Sequence, residues 1–199
     1  MRWTRLRLVA ALLAVLLLGL LAVRWAVRRH DHFLREELLR KTYIVAQAVP
    51  LDRVLALKGD RSDEERTEYR RLKTQLITAA QIEPAWKWIY LMGRNADGEV
   101  FFQMDSEAFD AEDPSPPGQV YPEASPLLHR VFETGAAATE GPLPDRWGVW
   151  VSAFVPLKDA ASGRLVTVVG VDIEAGTWRL QTWRAGLVPG LSVMPLHEF

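Results

Sequence analysis

The sequence predicts an α+β fold, in which an N-terminal transmembrane helix precedes long helices and an antiparallel sheet. An apolar run, Leu8–Val23, opens the chain. Apolar residues then recur at helical spacing as far as Pro84. From Trp86 onward they alternate with a period of two, as in a β-strand. Helices followed by strands that are joined through tight turns are typical of an α+β domain.

The apolar run indicates a membrane anchor over residues 8–27. Leu8–Val23 contains 16 residues, which is about 24 Å of helix, whereas a span needs roughly 20 residues. Trp25–Val27 complete the span if Arg24 reaches the headgroups, as long basic side chains do near helix ends. Trp3 lies where an interfacial aromatic belt would place it.

Two other interpretations of this run stay open, a cleaved signal peptide and a buried core helix. No A-x-A cleavage site follows the run, because Arg24 interrupts Ala22–Ala26. Three arginines flank each side, so the positive-inside count is nearly balanced. The very short tail of residues 1–7 favours a cytoplasmic N-terminus, with the bulk of the chain outside.

The composition of the remaining chain argues against several kinds of partner. Residues 1–29 contain six arginines and no acidic residue, which leaves 18 basic and 25 acidic residues and a net charge of −7. This charge argues against nucleic acid and against an anionic lipid surface. There is no cysteine, and the four histidines are not in a paired spacing. We therefore expect no disulfide, no metal site and no cofactor.

Two long helices are predicted before the strands. Asp31–Val49 continues the membrane helix outward, and Pro50 ends or kinks it. A second helix begins near Ser62, which forms a capping box with Glu65, and it ends before Pro84. Their apolar stripes are Leu34, Leu38, Val45 and Val49 in the first helix, and Tyr69, Leu72, Leu76 and Ala80 in the second.

The second half of the chain predicts two β-hairpins. Trp86–Arg94 and Glu99–Asp105 flank the turn signal Asp97-Gly98 and form the first hairpin. Trp147–Leu157 and Leu165–Ile173 form the second.

A long loop and a short helix lie between the hairpins. The loop, residues 106–124, is long for a structureless connection, which is typical of a functional or a disordered segment. Ser125 as cap, Pro126 at the first position and Gly135 after the end predict the helix. Residues 31–183 thus form one domain. Residues 184–199 form an irregular tail that is too short for a second span.

Short motifs stand in a recognisable order between residues 86 and 178. The most distinctive are Asp145–Ala153 and, after it, Gly170–Ile173. The others are Tyr90–Arg94 with Asp97-Gly98, Asp105–Glu107, Pro116–Tyr121 and Glu140–Pro142. In this order and spacing they resemble the extracytoplasmic PAS-like sensor domain, of the Cache type, in bacterial membrane sensor proteins such as histidine kinases and diguanylate cyclases.

The resemblance implies a PAS-like fold, a small-molecule pocket between the sheet and its overlying loops, and signalling through the helix that enters the membrane. It implies a single-pass protein of the bacterial inner membrane with its domain outside the cytoplasm, and a homodimer formed through the N-terminal helices. Proteins of this type usually cross the membrane again and carry a kinase or cyclase inside. This chain has neither, so we expect an N-terminal part, truncated before the second span and the output domain.

Nine residues are candidates for ligand binding. Tyr121, in the long loop, could close over a pocket. Arg146 offers a planar donor fork for a carboxylate, and Trp147 could form a pocket wall. Asp172 lies inside the apolar run Val166–Ile173, where a carboxylate needs a partner. That partner is either a ligand amine or a neighbouring arginine or backbone N–H.

The predicted strands provide the other five candidates. Trp150 and Ser152 share one face of their strand by the period of two, and Tyr90 and Arg94 share a face of the first strand. Asp105 ends the second strand. The plainer alternatives are a surface loop, a surface Asp–Arg pair, aromatic core packing and a solvated carboxylate.

Three functions are compatible with this pattern. The first is a membrane-anchored sensor domain that binds a small molecule. The second is an envelope structural or assembly protein that docks a partner through its N-terminal helices. Its distinguishing features would be an exposed apolar stripe on Asp31–Val49 and a filled sheet without a pocket. The third is a periplasmic hydrolase that uses carboxylates such as Asp105 and Asp172. We expect no enzyme, because the sequence has neither a Gly-rich phosphate loop nor a nucleophile elbow.

Overall fold

The computed structural model describes residues 2–112 and 114–187. The chain divides into two compact units, one made of residues 1–36 and 179–199 and the other of Glu37–Trp178. The apolar run lies in a long helix, α1 (Arg2–Ala48). Among the described residues, α1 is the one helix that is long and apolar enough to cross a bilayer. The predicted continuation of the apolar run into a helix is confirmed, because both lie in α1, which ends just before Pro50.

The Glu37–Trp178 unit contains a five-stranded antiparallel sheet in the order β2-β1-β5-β4-β3. The strands are β1 (Trp86–Arg94), β2 (Val100–Asp105), β3 (Ala138–Asp145), β4 (Gly148–Lys158) and β5 (Leu165–Glu174). The helices besides α1 are α2 (Leu51–Leu55), α3 (Thr67–Ala80), α4 (Pro126–Thr134) and α5 (Ala175–Leu187), with a 3₁₀ helix at Arg61–Glu65. The predicted α+β class is confirmed.

The two faces of the sheet bury different sets of side chains, because successive side chains of a strand point to opposite faces. On one face, the strands pack against Leu128 and Val131 of α4. On the other, Ile89 and Leu91 of β1 are fully buried, and α3 contacts β1 and β2. Burial of both faces explains why the central strands read as nearly continuous apolar runs.

The predicted capping box at Ser62 is wrong. The Asp60 side chain caps the short 3₁₀ helix by accepting a hydrogen bond from the Ser62 N–H at 2.8 Å, and α3 begins only at Thr67. The cause is the buried Asp63, whose carboxylate accepts hydrogen bonds from the backbone N–H groups of Lys58 and Gly59 at 2.7–3.0 Å. These bonds hold the chain in a turn where a regular helix would have begun.

Sequence reasoning missed strand β3, which contains Gly141, Pro142 and Pro144. Proline cannot donate to a strand ladder, so it argues against an interior strand but is accepted at a sheet edge. β3 is an edge strand, and its pairing with β4 shifts register between Glu140 and Leu143.

The C-terminal tail begins in helical structure. Helix α5 extends to Leu187, into the segment 184–199 that was predicted to be irregular. The rest of that segment lies outside the described residues.

Candidate ligand-binding site

A cleft opens on the α4 side of the sheet, beneath the long loop. It has about 450 Å³ of empty space, including its opening to solvent. Strands β1, β2 and β5 form its floor. The lining residues are Trp88, Tyr90, Met92, Phe102, Asp105, Glu107, Ser115, Tyr121, Asp145, Trp147 and Asp172.

Aromatic rings form most of the apolar wall. The Tyr121 and Trp147 rings are stacked with centroids 6.1 Å apart. Phe102 meets both of them, with centroids at 5.5 Å and 5.9 Å, and Tyr90 meets Phe102 edge-on at 5.7 Å. Because each ring is held by another, the wall is largely formed before any ligand arrives.

Asp172 on β5 lies at the floor of the cleft. Strand register pairs it with Trp88 of β1 on one side and with Ser152 of β4 on the other. The Tyr90 hydroxyl donates to its Oδ1 at 2.8 Å, and Ser152 also hydrogen-bonds the carboxylate. Gly170 makes the Tyr90 contact possible, because a Cβ there would lie 1.9 Å from the tyrosine ring.

The pKa of Asp172 is raised to about 7, chiefly because burial penalises its charged form. The hydrogen bonds from Ser152 and Tyr90 oppose this rise, whereas the charges of Asp145 and Glu140 add to it. Burial also raises the pKa of the Tyr90 hydroxyl, so that this group stays protonated as a donor. A carboxyl group poised near neutral pH inside a cleft is a feature of functional sites.

Asp145, at the end of β3, is a second carboxylate of the cleft. Its Oδ1 accepts hydrogen bonds from the backbone N–H groups of Trp147 and Gly148 and from the Trp150 indole at 2.8–3.0 Å. Its Oδ2 accepts from the Tyr121 hydroxyl at 3.0 Å. Asp145 thereby joins the long loop to the β3–β4 turn and closes one side of the cleft.

Asp105, at the end of β2, is an acid with a cationic partner. Lys73 of α3 donates to its Oδ1 at 2.6 Å, and both side chains are buried. The Ser115 N–H donates to Oδ2 at 2.6 Å, which holds the long loop over the cleft. The remaining lining acid, Glu107, accepts a hydrogen bond from the Trp88 indole.

The structure brings five of the nine predicted residues into the cleft lining: Tyr90, Asp105, Tyr121, Trp147 and Asp172. Two more, Ser152 and Trp150, stand behind it. Ser152 hydrogen-bonds Asp172, and Trp150 binds Asp145 and packs on Trp88 at 4.5 Å. Their ligand-binding roles stay predictions.

The two predicted arginines do not line the cleft. Arg94 donates to the Gly98 carbonyl at 3.2 Å, in the exposed β1–β2 turn. Arg146 offers its donor fork to a carboxylate as predicted, but that carboxylate belongs to Glu123, with N–O distances of 2.8 Å and 2.7 Å. Glu123 is separated from it by 23 positions, so neither local spacing nor the neighbouring Asp145 indicated this partner.

Sequence reasoning did not select Trp88, Met92, Phe102, Glu107, Ser115 and Asp145 as lining residues. Trp88 lies two positions before Tyr90 and therefore shares its strand face, and this period of two was the available signal. Asp145 heads the most distinctive motif, and that position was the available signal. Among the described residues, no group of three or more side chains is arranged to hold a metal ion.

Comparison with solved structures identifies the fold. The chain is similar to the ligand-binding domain of the Campylobacter jejuni chemoreceptor Tlp3 in complex with L-valine, with a TM-score of 0.51, 13% identity, and 80% of this chain and 58% of that chain covered. The sensory domain of the same receptor matches equally, with 59% of that chain covered. The complex with 4-methylisoleucine also matches at a TM-score of 0.51 and 13% identity, over 80% of this chain and 57% of that chain.

The predicted PAS-like sensor fold is thereby confirmed, and the chain spans less than two thirds of the length of these solved domains. No family model matches the chain, and no curated protein matches it in sequence.

Proposed function

We propose that the chain is the membrane-anchored sensor part of a bacterial signal-transduction protein, which binds a small molecule in the cleft outside the cytoplasm. The single observation that carries this proposal is the cleft itself, whose polar groups are held by hydrogen bonds on rigid strands. The fold shared with chemoreceptor sensory domains supports it. We further propose that the chain is not an enzyme and that catalysis belongs to an output domain beyond it.

The cleft favours this function over envelope assembly. A docking protein needs no cavity in its sheet, whereas here the floor carries carboxylates and aromatic edges around empty space. The hydrolase alternative lacks support in the same geometry, because Asp105 is bound by Lys73 and by two backbone N–H groups.

Helix α3 provides a route from the cleft to the end of α1. Lys73 binds Asp105 below the cleft. Two positions further along α3, the Gln75 amide donates to the carbonyl of Ala48, the last residue of α1, at 2.8 Å. We expect a ligand to act on α1 through this contact, provided that it binds two arrangements of the domain with different affinity.

We also propose that the chain forms a homodimer through α1. Phe33 and Ile44 expose 52% and 66% of their surface, and a separation of 11 residues, about three turns, places them on one side of the helix. The variant Ile44→Cys should form a disulfide-linked dimer in membranes, whereas Ser162→Cys, in the β4–β5 turn, should not. Equal crosslinking of the two variants would argue against this interface.

Thermal unfolding of the full chain in detergent tests ligand binding. The panel should contain amines, amino acids, organic acids, sugars and nucleosides. A ligand at 100 times its Kd stabilises the folded state by about 2.7 kcal/mol, so a binder should raise Tm by several degrees. Ser115→Phe, which fills the cleft, should abolish the response. Ser162→Phe, an exposed control of the same chemistry, should retain it.

Two results would remove support for the sensor function. One is a panel in which no compound stabilises the folded protein. The other is an unchanged response in Ser115→Phe, because the ligand would then bind elsewhere.

A further inference from the structure

We infer that the cleft takes an organic amine, a compact apolar or aromatic skeleton with one ammonium group and no carboxylate, whose ammonium binds Asp172. This inference rests on the proposed sensor function and names the chemical class of its ligand.

The charge of the cleft favours a cation. Four carboxylates line it, those of Asp105, Glu107, Asp145 and Asp172, and none of the described lining residues is basic. Within the described ranges, Asp105 is the one of these acids with a cationic partner, Lys73, which approaches from α3. In the part of the chain that the structure describes, no lysine, arginine or histidine forms an ion pair with Asp145 or Asp172.

Asp172 has capacity for an ammonium donor. A carboxylate has about four lone-pair positions, and among the described residues Asp172 accepts from two donors, the hydroxyls of Tyr90 and Ser152. These neutral donors orient the group but do not compensate its charge. A buried carboxylate without a countercharge is costly, so an ammonium ion at this point supplies what the domain itself lacks. Asp145 differs, since its two oxygens already accept four hydrogen bonds.

The aromatic wall suits the same ligand. The faces of Tyr and Trp rings attract cations through the ring quadrupole, and their area buries an apolar skeleton. Tyr121, Trp147 and Phe102 form one continuous wall of the cleft. The acids and the rings are therefore complementary to the two parts of an amine, its charged head and its apolar body.

A ligand carboxylate finds no cationic partner among the described lining residues. The backbone N–H groups of Trp147 and Gly148 donate to Asp145, and that of Ser115 donates to Asp105. Arg146, the nearest arginine in sequence to this wall, is bound to Glu123. The carboxylate of an amino acid would thus enter beside like charges, which disfavours it. We therefore expect the cleft to bind an amine more tightly than the corresponding amino acid, although a solved domain of the same fold binds L-valine.

The test uses matched compounds and the full chain in detergent at pH 8. The pairs are phenethylamine with L-phenylalanine, and isobutylamine with L-valine, with 2-phenylethanol and isobutanol as neutral isosteres. Calorimetric titration should show at least one amine binding about tenfold or more tightly than both its amino acid and its alcohol, because a charge-assisted hydrogen bond is lost or opposed in each analogue.

Variants locate the ammonium. Asp172→Asn should weaken amine binding by about tenfold or more and leave the weak binding of the alcohol unchanged, a difference that a merely structural defect would not produce. Asp159→Asn is the matched control. Its carboxylate lies in the exposed β4–β5 turn and accepts from Ser162, so amine affinity should not change.

Failure of this inference is distinguishable from failure of the sensor function. Three results would overturn the amine inference and leave a sensor: the amino acid binds as tightly as the amine or more tightly, Asp172→Asn leaves the amine affinity unchanged, or only a ligand of another class binds. Absence of binding by every class of compound would overturn both.

Discussion

Asp172 in its charged form lowers the stability of the fold, and this charged form is the one that the proposed ligand would bind. Its carboxylate is buried on the central part of the sheet, and burial raises its pKa from the ordinary 3.8 to about 7. The folded state therefore holds a proton more tightly than the unfolded chain does between about pH 4 and pH 7. A neutral side chain at this position would avoid this cost, and the ammonium of the proposed ligand would offset it by pairing with the carboxylate.

The pH dependence of stability follows from this shift. A raised carboxyl pKa stabilises the folded state at low pH, and that contribution is lost as pH rises from about 4 to about 7. The variant Asp172→Asn should lack this loss. It should be more stable than the wild type at pH 8 by up to about 4 kcal/mol.

Urea unfolding of the full chain at pH 5 and pH 8 measures this difference. The control is Asp159→Asn, whose carboxylate lies in the β4–β5 turn, where it accepts from the Ser162 hydroxyl. A variant Asp172→Asn that was less stable than the wild type at pH 8 would contradict the account, because the carboxylate would then be a stabilising group.

At the scale of elements, β1 and β5 approach closely at one point of the cleft floor. The Tyr90 ring lies directly over Gly170, its partner in the register of the two strands. An alanine at this position would push the ring away from the sheet. The hydrogen bond from the Tyr90 hydroxyl to Asp172 depends on this contact.

Gly170→Ala should destabilise the domain by about 1–3 kcal/mol through overpacking and should weaken ligand binding. In Gly170→Ala/Tyr90→Leu the smaller side chain relieves the clash. The double variant should therefore regain stability but not ligand affinity. Chemical unfolding and titration of Gly170→Ala, Tyr90→Leu and the double variant, each compared with the wild type, separate these effects. Strictly additive losses of stability would show that the ring and the new methyl group do not meet.

The contact between α3 and β2 depends on a buried ion pair. Lys73 and Asp105 are each almost fully buried, with Nζ and Oδ1 2.6 Å apart. Lys73→Met should cost about 3–5 kcal/mol, because it leaves an uncompensated charge inside the domain. Lys73→Met/Asp105→Asn should recover part of that loss, since it removes the buried charge. The single amide oxygen can replace only one of the two oxygens that accept from the backbone N–H groups of Glu107 and Ser115. Equal stability of the single and double variants would argue against a buried charge as the cause.

At the scale of the whole molecule, the anchor and the domain differ in composition. The apolar residues of the run Leu8–Val23 in α1 are largely exposed, as at Leu12 and Leu16, which is consistent with a membrane around them. All 25 acidic residues lie after residue 29. This distribution suits a single-pass protein with an acidic domain on one side of the bilayer.

Membrane orientation can be measured without background, because the chain contains no cysteine. In intact spheroplasts, a membrane-impermeant maleimide should label Ser162→Cys, and should label Trp3→Cys only after lysis. Both variants should remain in the membrane pellet after an alkaline wash. The reverse labelling pattern would place the domain in the cytoplasm and would contradict the proposed location of the ligand.

Local patterns were sufficient for much of the architecture. The apolar run and the continuous helix after it, the short helix between Ser125 and Gly135, and four of the five strands were all visible, because each depends on periodicity or on capping within a few positions. Strand β3 was not predicted, because its prolines argue locally against a strand. Its prolines are tolerated only because tertiary packing places the strand at an edge.

The chemistry of the cleft was decided by contacts between distant positions. Tyr90 and Asp172 are 82 positions apart, Lys73 and Asp105 are 32 apart, and Arg146 and Glu123 are 23 apart. The sequence alone determined which acids, rings and arginines are present and which strands carry them. Only the tertiary structure decided which acid is neutralised, which arginine is occupied and which carboxylate faces an aromatic cleft without a cation. The reason is that pairing depends on strand register and helix packing, and no local pattern specifies either.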